Sequence, residues 1–258
     1  MSVRILSAVA LAASFLTLAT VARAADLVAN PTIIGGGVVP VGGVTSEDVD
    51  IGVGFEDGAF ELEVHDESNG GVEGTEYAPN EVLFHVAAES LFARPAGSQF
   101  DFLGLAAGAN LSLLPASPNG DLLFLGFAAE EVPAGTFVPG TLKLRLVSVA
   151  GGGDSSLPAP GAFSVFSLDA GNPVVHIASS DGISSSDHID LVEGDHSHFN
   201  IGFSAEGLYA ITFEASGTLI GGAPSSLQGT YYFQVVIPEP ASLGVLAPAA
   251  ALLLRRRK

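Results

Sequence analysis

The chain has 258 residues, 9 basic and 28 acidic, with a formal charge of −19 at pH 7 and neither Cys nor Trp. Charge of that sign repels phosphates and excludes a nucleic-acid role, while the missing thiols exclude disulfides, Cys-ligated zinc and Cys nucleophiles. The missing Trp argues against a Trp-lined carbohydrate platform, and sixteen Phe are left to build the core.

Residues 1–24 carry Arg4, an apolar run from Ile5 to Val21 and then Ala22-Arg23-Ala24. This is the order of a secretory signal peptide, with cleavage by signal peptidase before Ala24 or Ala25. The remainder to residue 236 is long enough to bury a substantial core. Between residues 25 and 237 only Arg94, Lys143 and Arg145 stand against 27 acids, a formal charge of −24. Such a body attracts cations.

Asp50 to Phe55 alternates apolar with polar or small residues, Asp57-Gly58 supplies a turn, and Phe60 to His65 alternates again, which predicts a β-hairpin. Further strands are predicted at 81–87, 122–127, 141–149, 162–168, 174–177, 199–203, 208–215 and 229–237, at the spacing of a sandwich or a barrel. Gly151 to Pro160 and Ser179 to Asp187 read as mobile loops. Phe102 to Ala107 and Phe124 to Ala129 echo each other as two similar apolar strands or turns. Gly207-Leu208-Tyr209 before an alternating strand has the form of a tyrosine corner, with Tyr209 buried and hydrogen-bonded. The fold expected is all-β, an immunoglobulin-like antiparallel β-sandwich.

The chemistry concentrates at Gly194 to Phe203. With period 2, His196, His198 and Asn200 share one strand face and Phe199, Ile201 and Phe203 the other. Two imidazoles at that spacing can hold one metal ion, with zinc the best match to neutral imidazole and copper and nickel also suited. The remaining ligands come from His65, Asp66, Asp190, Asp195 or Glu193, with His65 and Asp190 placed first. His85 and His176, inside apolar strands, read as structural, and His188 as intermediate. The chain has no Gly-x-Ser-x-Gly elbow, phosphate loop or His-Glu-x-x-His, and the adjacent Glu130 and Glu131 point opposite ways on a strand. No enzyme is expected.

The C-terminus, residues 237–258, joins Pro238-Glu239-Pro240, the uncharged run Ala241 to Leu254, and Arg255, Arg256, Arg257 and Lys258. The prolines keep an exposed, extended segment. The apolar run forms a short transmembrane helix of roughly 21 Å, below the hydrocarbon thickness of about 30 Å. The basic block holds the end on the cytoplasmic side.

This tail resembles the PEP-CTERM sorting signal. The resemblance implies export, transient anchoring in the membrane, processing by an exosortase near the Pro-Glu-Pro triplet, and display at the cell envelope or outside it. The stretch His196 to Gly217, HSHFNIGFSAEGLYAITFEASG, is similar to the actinobacterial surface-anchored repeat and the choice-of-anchor M domain, whose pattern runs His-x-His-x-Asn-Trp-x-Phe-Thr-x-x-Gly-x-Tyr. Val49 to Gly58, Leu62 to His65, Tyr77 to Val82, Phe102 to Gly104, Phe124 to Gly126 and Ala129 to Glu131 extend the likeness, so it covers most of residues 47–217. The chain departs from the pattern at Ile201 for Trp, at Ser46-Glu47-Asp48 where a His is usual, and at Glu63 where the hairpin usually ends in His-x-His. Related PEP-CTERM proteins include a group repressed by the zinc-uptake regulator. That implies a link to zinc supply, with an extracellular polysaccharide or a metal transporter as partner.

Two functions follow from these residues. One is an extracytoplasmic zinc-binding module using His196, His198, His65 and Asp190. The other is a non-catalytic structural component of the cell surface or extracellular matrix. Converging imidazole tips would favour the first and scattered ones the second.

Overall fold

The computed structural model describes residues 26–37, 39–40, 42–45, 48–67, 74–152 and 157–236. The signal peptide and sorting tail expected at 1–24 and 237–258 lie outside these residues, as do 153–156 of the first expected loop. No helix among the described residues is long and apolar enough to cross a membrane.

Eighteen strands, numbered in chain order, make three sheets among the described residues. The first has five strands in the order β15 (His196–His198), β9 (Leu125–Ala128), β3 (Val49–Glu56), β4 (Ala59–Asp66) and β5 (Thr75–Tyr77). The second runs β13 (Asn172–Ala178), β12 (Phe163–Asp169), β16 (Asn200–Phe203), β8 (Asn110–Leu114) and β7 (Leu91–Ala93). The third, with eight strands, runs β11 (Leu157–Pro158), β10 (Lys143–Gly151), β17 (Gly207–Thr218), β18 (Pro224–Val235), β6 (Val82–Val86), β1 (Thr32–Gly35) and β2 (Val44–Thr45), with β14 (His188–Asp190) paired beside β10.

Apolar side chains from all three sheets close one core, as in a β-sandwich. Phe213 of the large sheet meets Phe127 of the first at 6.1 Å and Phe163 of the second at 6.1 Å. Phe203 of the second sheet meets Phe233 of the large one at 5.3 Å. The expected hairpin is β3–β4. Asp57 and Gly58 both take positive φ, 50° and 84°, which is what a two-residue turn matched to strand twist requires.

The sheets are not purely antiparallel, which corrects the expectation. β1 runs parallel to β2 and β6, β6 parallel to β18, and β3 parallel to β9. The partners β6 and β18, and β3 and β9, lie far apart in sequence, so no tight hairpin imposes the antiparallel sense. Ser179 to Asp187 is also more ordered than its composition suggests. Buried Asp187 accepts hydrogen bonds from Ala178 N, Ser184 N and Ser184 Oγ, and Ser179–Asp181 forms a 3₁₀ turn. The two echoed stretches adopt different structures, since 102–103 end a 3₁₀ helix whereas 125–128 are strand β9.

At Phe199 the chain leaves the first sheet and enters the second. This breaks the expected single strand face. His196 and His198 sit on β15, but Asn200 belongs to β16, where its Oδ1 accepts from Ala116 N and its Nδ2 donates to the Phe166 carbonyl. Phe199 packs between sheets, 6.0 Å from Phe127 and 4.7 Å from the His176 ring. Further along, the fully buried Tyr209 donates its hydroxyl to the Ala205 carbonyl at 2.8 Å, the tyrosine-corner geometry.

Candidate metal centre

The first sheet has two unlike faces. Val49, Ile51, Val53, Val64, Leu125 and Phe127 turn into the core. The alternate residues form a row of acids, imidazoles and glycines on the other face. The register fixes which of them meet. His198 lies opposite Gly126, Gly126 opposite Asp50, Asp50 opposite His65, and His65 opposite Glu76. One step along, His196, Ala128, Gly52 and Glu63 form the next row.

Within these rows the donor atoms of Asp48, Asp50 and His198 lie within 4.8 Å of one another, as do those of Asp50, Glu130 and His196. His196 Nδ1 hydrogen-bonds Glu130 Oε1 at 2.7 Å, and His198 Nε2 stands 3.9 Å from Asp48 Oδ1. The His198 ring stacks on Phe124 with centroids 3.7 Å apart, which holds its plane. The two imidazole centroids are 5.3 Å apart.

Asp50 is the central group. It is only 2% exposed, and its Oδ1 has no hydrogen-bond partner. A Cβ on Gly126 would fall 2.0 Å from that oxygen and 2.9 Å from His198 Cε1, so the glycine keeps open the space between them. Burial pushes the Asp50 carboxyl up to about 6, against the pull of His196. Hydrogen bonding to Glu130 raises His196, whereas burial lowers His198 against the opposing effect of Asp48. A buried carboxylate oxygen without a hydrogen-bond partner, two imidazoles and an open space above a glycine together could hold a divalent ion.

The sequence-predicted ligands divide. His196 and His198 come together. His65 shares the row of His198 but joins none of the three groups of donor atoms found among the described residues, and its Nε2 lies against Gly74, where a Cβ would be 2.1 Å away. Asp190 is on β14 in the eight-stranded sheet and pairs with Lys143, whose hydrogen bond holds its carboxyl below the usual range. Asp195 accepts from His196 N, and Glu193 accepts from Gly135 N and Phe137 N. Sequence reasoning misses Asp48, Asp50 and Glu130. The signal for the first two is the alternation Asp48-x-Asp50-x-Gly52-x-Gly54, a polar and small face opposite an apolar one.

A third group, Glu63, Glu76 and Glu131, lies beside the centre. Burial, then Glu131 and Glu76, push Glu63 up to about 7. Glu63 therefore contributes stability that is complete below its unfolded value of about 4.3 and is lost as the pH rises through about 7. Glu63→Gln is expected to stabilise the metal-free protein at pH 8 by on the order of 1–2 kcal/mol after solvent screening, and to change nothing at pH 4. Urea unfolding across that range checks it, and a pH-independent difference would refute it. Glu130 and Glu131 lie in a turn just past β9, not on a strand as expected, and belong to different groups.

No family model, curated protein or solved structure matches this chain.

Proposed function

We propose that this chain is an exported, surface-displayed protein of immunoglobulin-like sandwich type that binds a divalent cation, zinc, on the outer face of its first sheet. Asp50 carries the reading, because a buried carboxylate oxygen with no partner, aimed into a space flanked by an imidazole, is costly unless a cation enters. His196 and His198 are the nitrogen ligands, and Asp50 is the central oxygen ligand. The tyrosine corner at Tyr209 supports the immunoglobulin-like type.

The sequence at both ends supports the route: signal peptidase at residues 1–24, then an exosortase at Pro238-Glu239-Pro240 with the short helix and the Arg255, Arg256 and Arg257 cluster as its stop. The protein then supplies or buffers zinc outside the cytoplasm, next to a metal transporter or within a polysaccharide layer. No reaction is assigned to it.

Isothermal titration of zinc into the purified full-length chain, stripped with EDTA, tests the binding. Saturable binding that His196→Ala weakens at least tenfold is expected. Wild-type protein that takes up no zinc would end this reading.

One observation favours the second function, a structural role at the surface. The second sheet bears a cavity of about 390 Å³ lined by Phe92, Phe100, Leu103, Leu111, Phe166 and Leu168, with Leu168, Val174 and Val175 exposed on the same sheet. Exposed apolar clusters of this kind mark contact surfaces.

A further inference from the structure

We infer that the centre holds two divalent ions bridged by the Asp50 carboxylate, one between Asp48 and His198 and one between Glu130 and His196. This rests on the zinc-binding reading and extends it from one ion to two.

The two groups of donor atoms share Asp50 and nothing else. Each then adds one imidazole and one further carboxylate, so each is a complete three-ligand set of its own. Three protein ligands with solvent in the fourth position is the pattern of open zinc sites, and carboxylate oxygen is among the ligands zinc accepts.

The distances fit two separate ions. Two ligand atoms on a tetrahedral zinc, at bond lengths near 2.0–2.1 Å, stand roughly 3.3 Å apart. His198 Nε2 and Asp48 Oδ1 are 3.9 Å apart and need only close slightly. His196 Nδ1 and Glu130 Oε1 are 2.7 Å apart and need only open slightly, and both side chains are more than a third exposed, free enough to do so. The donors pair off, each imidazole facing its own carboxylate.

The strand register points the same way. Asp48 lies two residues before Asp50, just ahead of β3, His198 is level with Asp50, and His196 is level with Gly52. Glu130 lies beyond the end of β9, where its neighbour Glu131 accepts from Phe55 N. The donors thus leave the backbone over about six residues of strand, roughly 20 Å. Two ions sharing Asp50 in the middle use all five side chains, each ion within a group whose donor atoms already lie within 4.8 Å of one another. Carboxylate-bridged pairs of this kind hold their metals about 3.5–4 Å apart.

Native mass spectrometry of the full-length chain after EDTA stripping and zinc addition, with titration calorimetry for the stoichiometry, tests this. Two zinc ions per wild-type chain are expected. Asp48→Ala and Glu130→Ala should each keep one, and Asp50→Asn should keep none, with far-UV circular dichroism confirming that each variant is folded. The wild-type stoichiometry decides the matter even where a variant fails to fold. One ion per wild-type chain would overturn the bridged pair and leave the single-ion reading intact, whereas no ion would overturn both.

Discussion

Asp50→Asn is expected to make the metal-free protein more stable at neutral pH and to abolish its stabilisation by zinc. The two effects share one cause. Asp50 is 2% exposed and its Oδ1 has no hydrogen-bond partner, so above about pH 6 folding buries a charge that His196 only partly offsets. Asparagine keeps the shape and removes the charge. Relief of a buried, poorly paired carboxylate amounts to roughly 1–3 kcal/mol. For a domain of this size each kcal/mol moves Tm by about 2–4 °C. If the wild type binds zinc as proposed, zinc at 100 times its Kd is expected to stabilise it by about 2.7 kcal/mol, a comparable rise in Tm. The variant lacks the charged carboxylate that the ion needs, so its Tm in zinc should equal its Tm in EDTA. Differential scanning calorimetry of both proteins in both buffers gives four numbers and one clear pattern: in EDTA the variant melts higher, and only the wild type responds to zinc. A variant that is less stable in EDTA, or that keeps the wild-type zinc response, would show that Asp50 has a structural role instead.

The parts of this arrangement legible in the sequence are those set by neighbours along the chain. The β3–β4 hairpin follows from period-2 alternation around Asp57-Gly58, and the two histidines of β15 share a face because two residues is one strand repeat. What the sequence hides is set by pairing at a distance. Asp50 meets His198 only because β3 runs parallel to β9 and β9 pairs with β15, and none of those pairings has a local signature. Asp48, which stands where the resembled pattern has a His, becomes a candidate ligand through the same pairings. Asp190 looks equivalent to other acids in the sequence until Lys143, opposite it on β10, engages its carboxylate. The sheet change at Phe199 is likewise invisible to periodicity, since HSHFNIGF alternates without interruption. It follows from where the Phe199 ring can be buried, against Phe127 and His176.

Phe127→Ala should show that the core and the centre are coupled through β9. Phe127 is fully buried between the rings of Phe199 and Phe213, and its strand neighbours Gly126 and Ala128 lie opposite His198 and His196. Removing the ring leaves a cavity and is expected to cost about 3–5 kcal/mol, or roughly 6–20 °C in Tm. Phe127→Leu, which keeps most of the volume, should lose less than half as much. Phe127 belongs to none of the donor groups, yet β9 lies between β15 and β3, so slack in its packing is expected to shift both imidazoles relative to Asp50. Zinc affinity should therefore fall at least tenfold in Phe127→Ala. Phe233→Ala is the control, because that ring packs on Phe84 and Phe203 in the other two sheets. It should lose similar stability and bind zinc as the wild type does at temperatures where both remain folded. If both variants weaken zinc binding equally, the centre responds to global stability and β9 has no special part. If neither does, the ligands are held by their own hydrogen bonds, chiefly His196 to Glu130, and not by the strand beneath them.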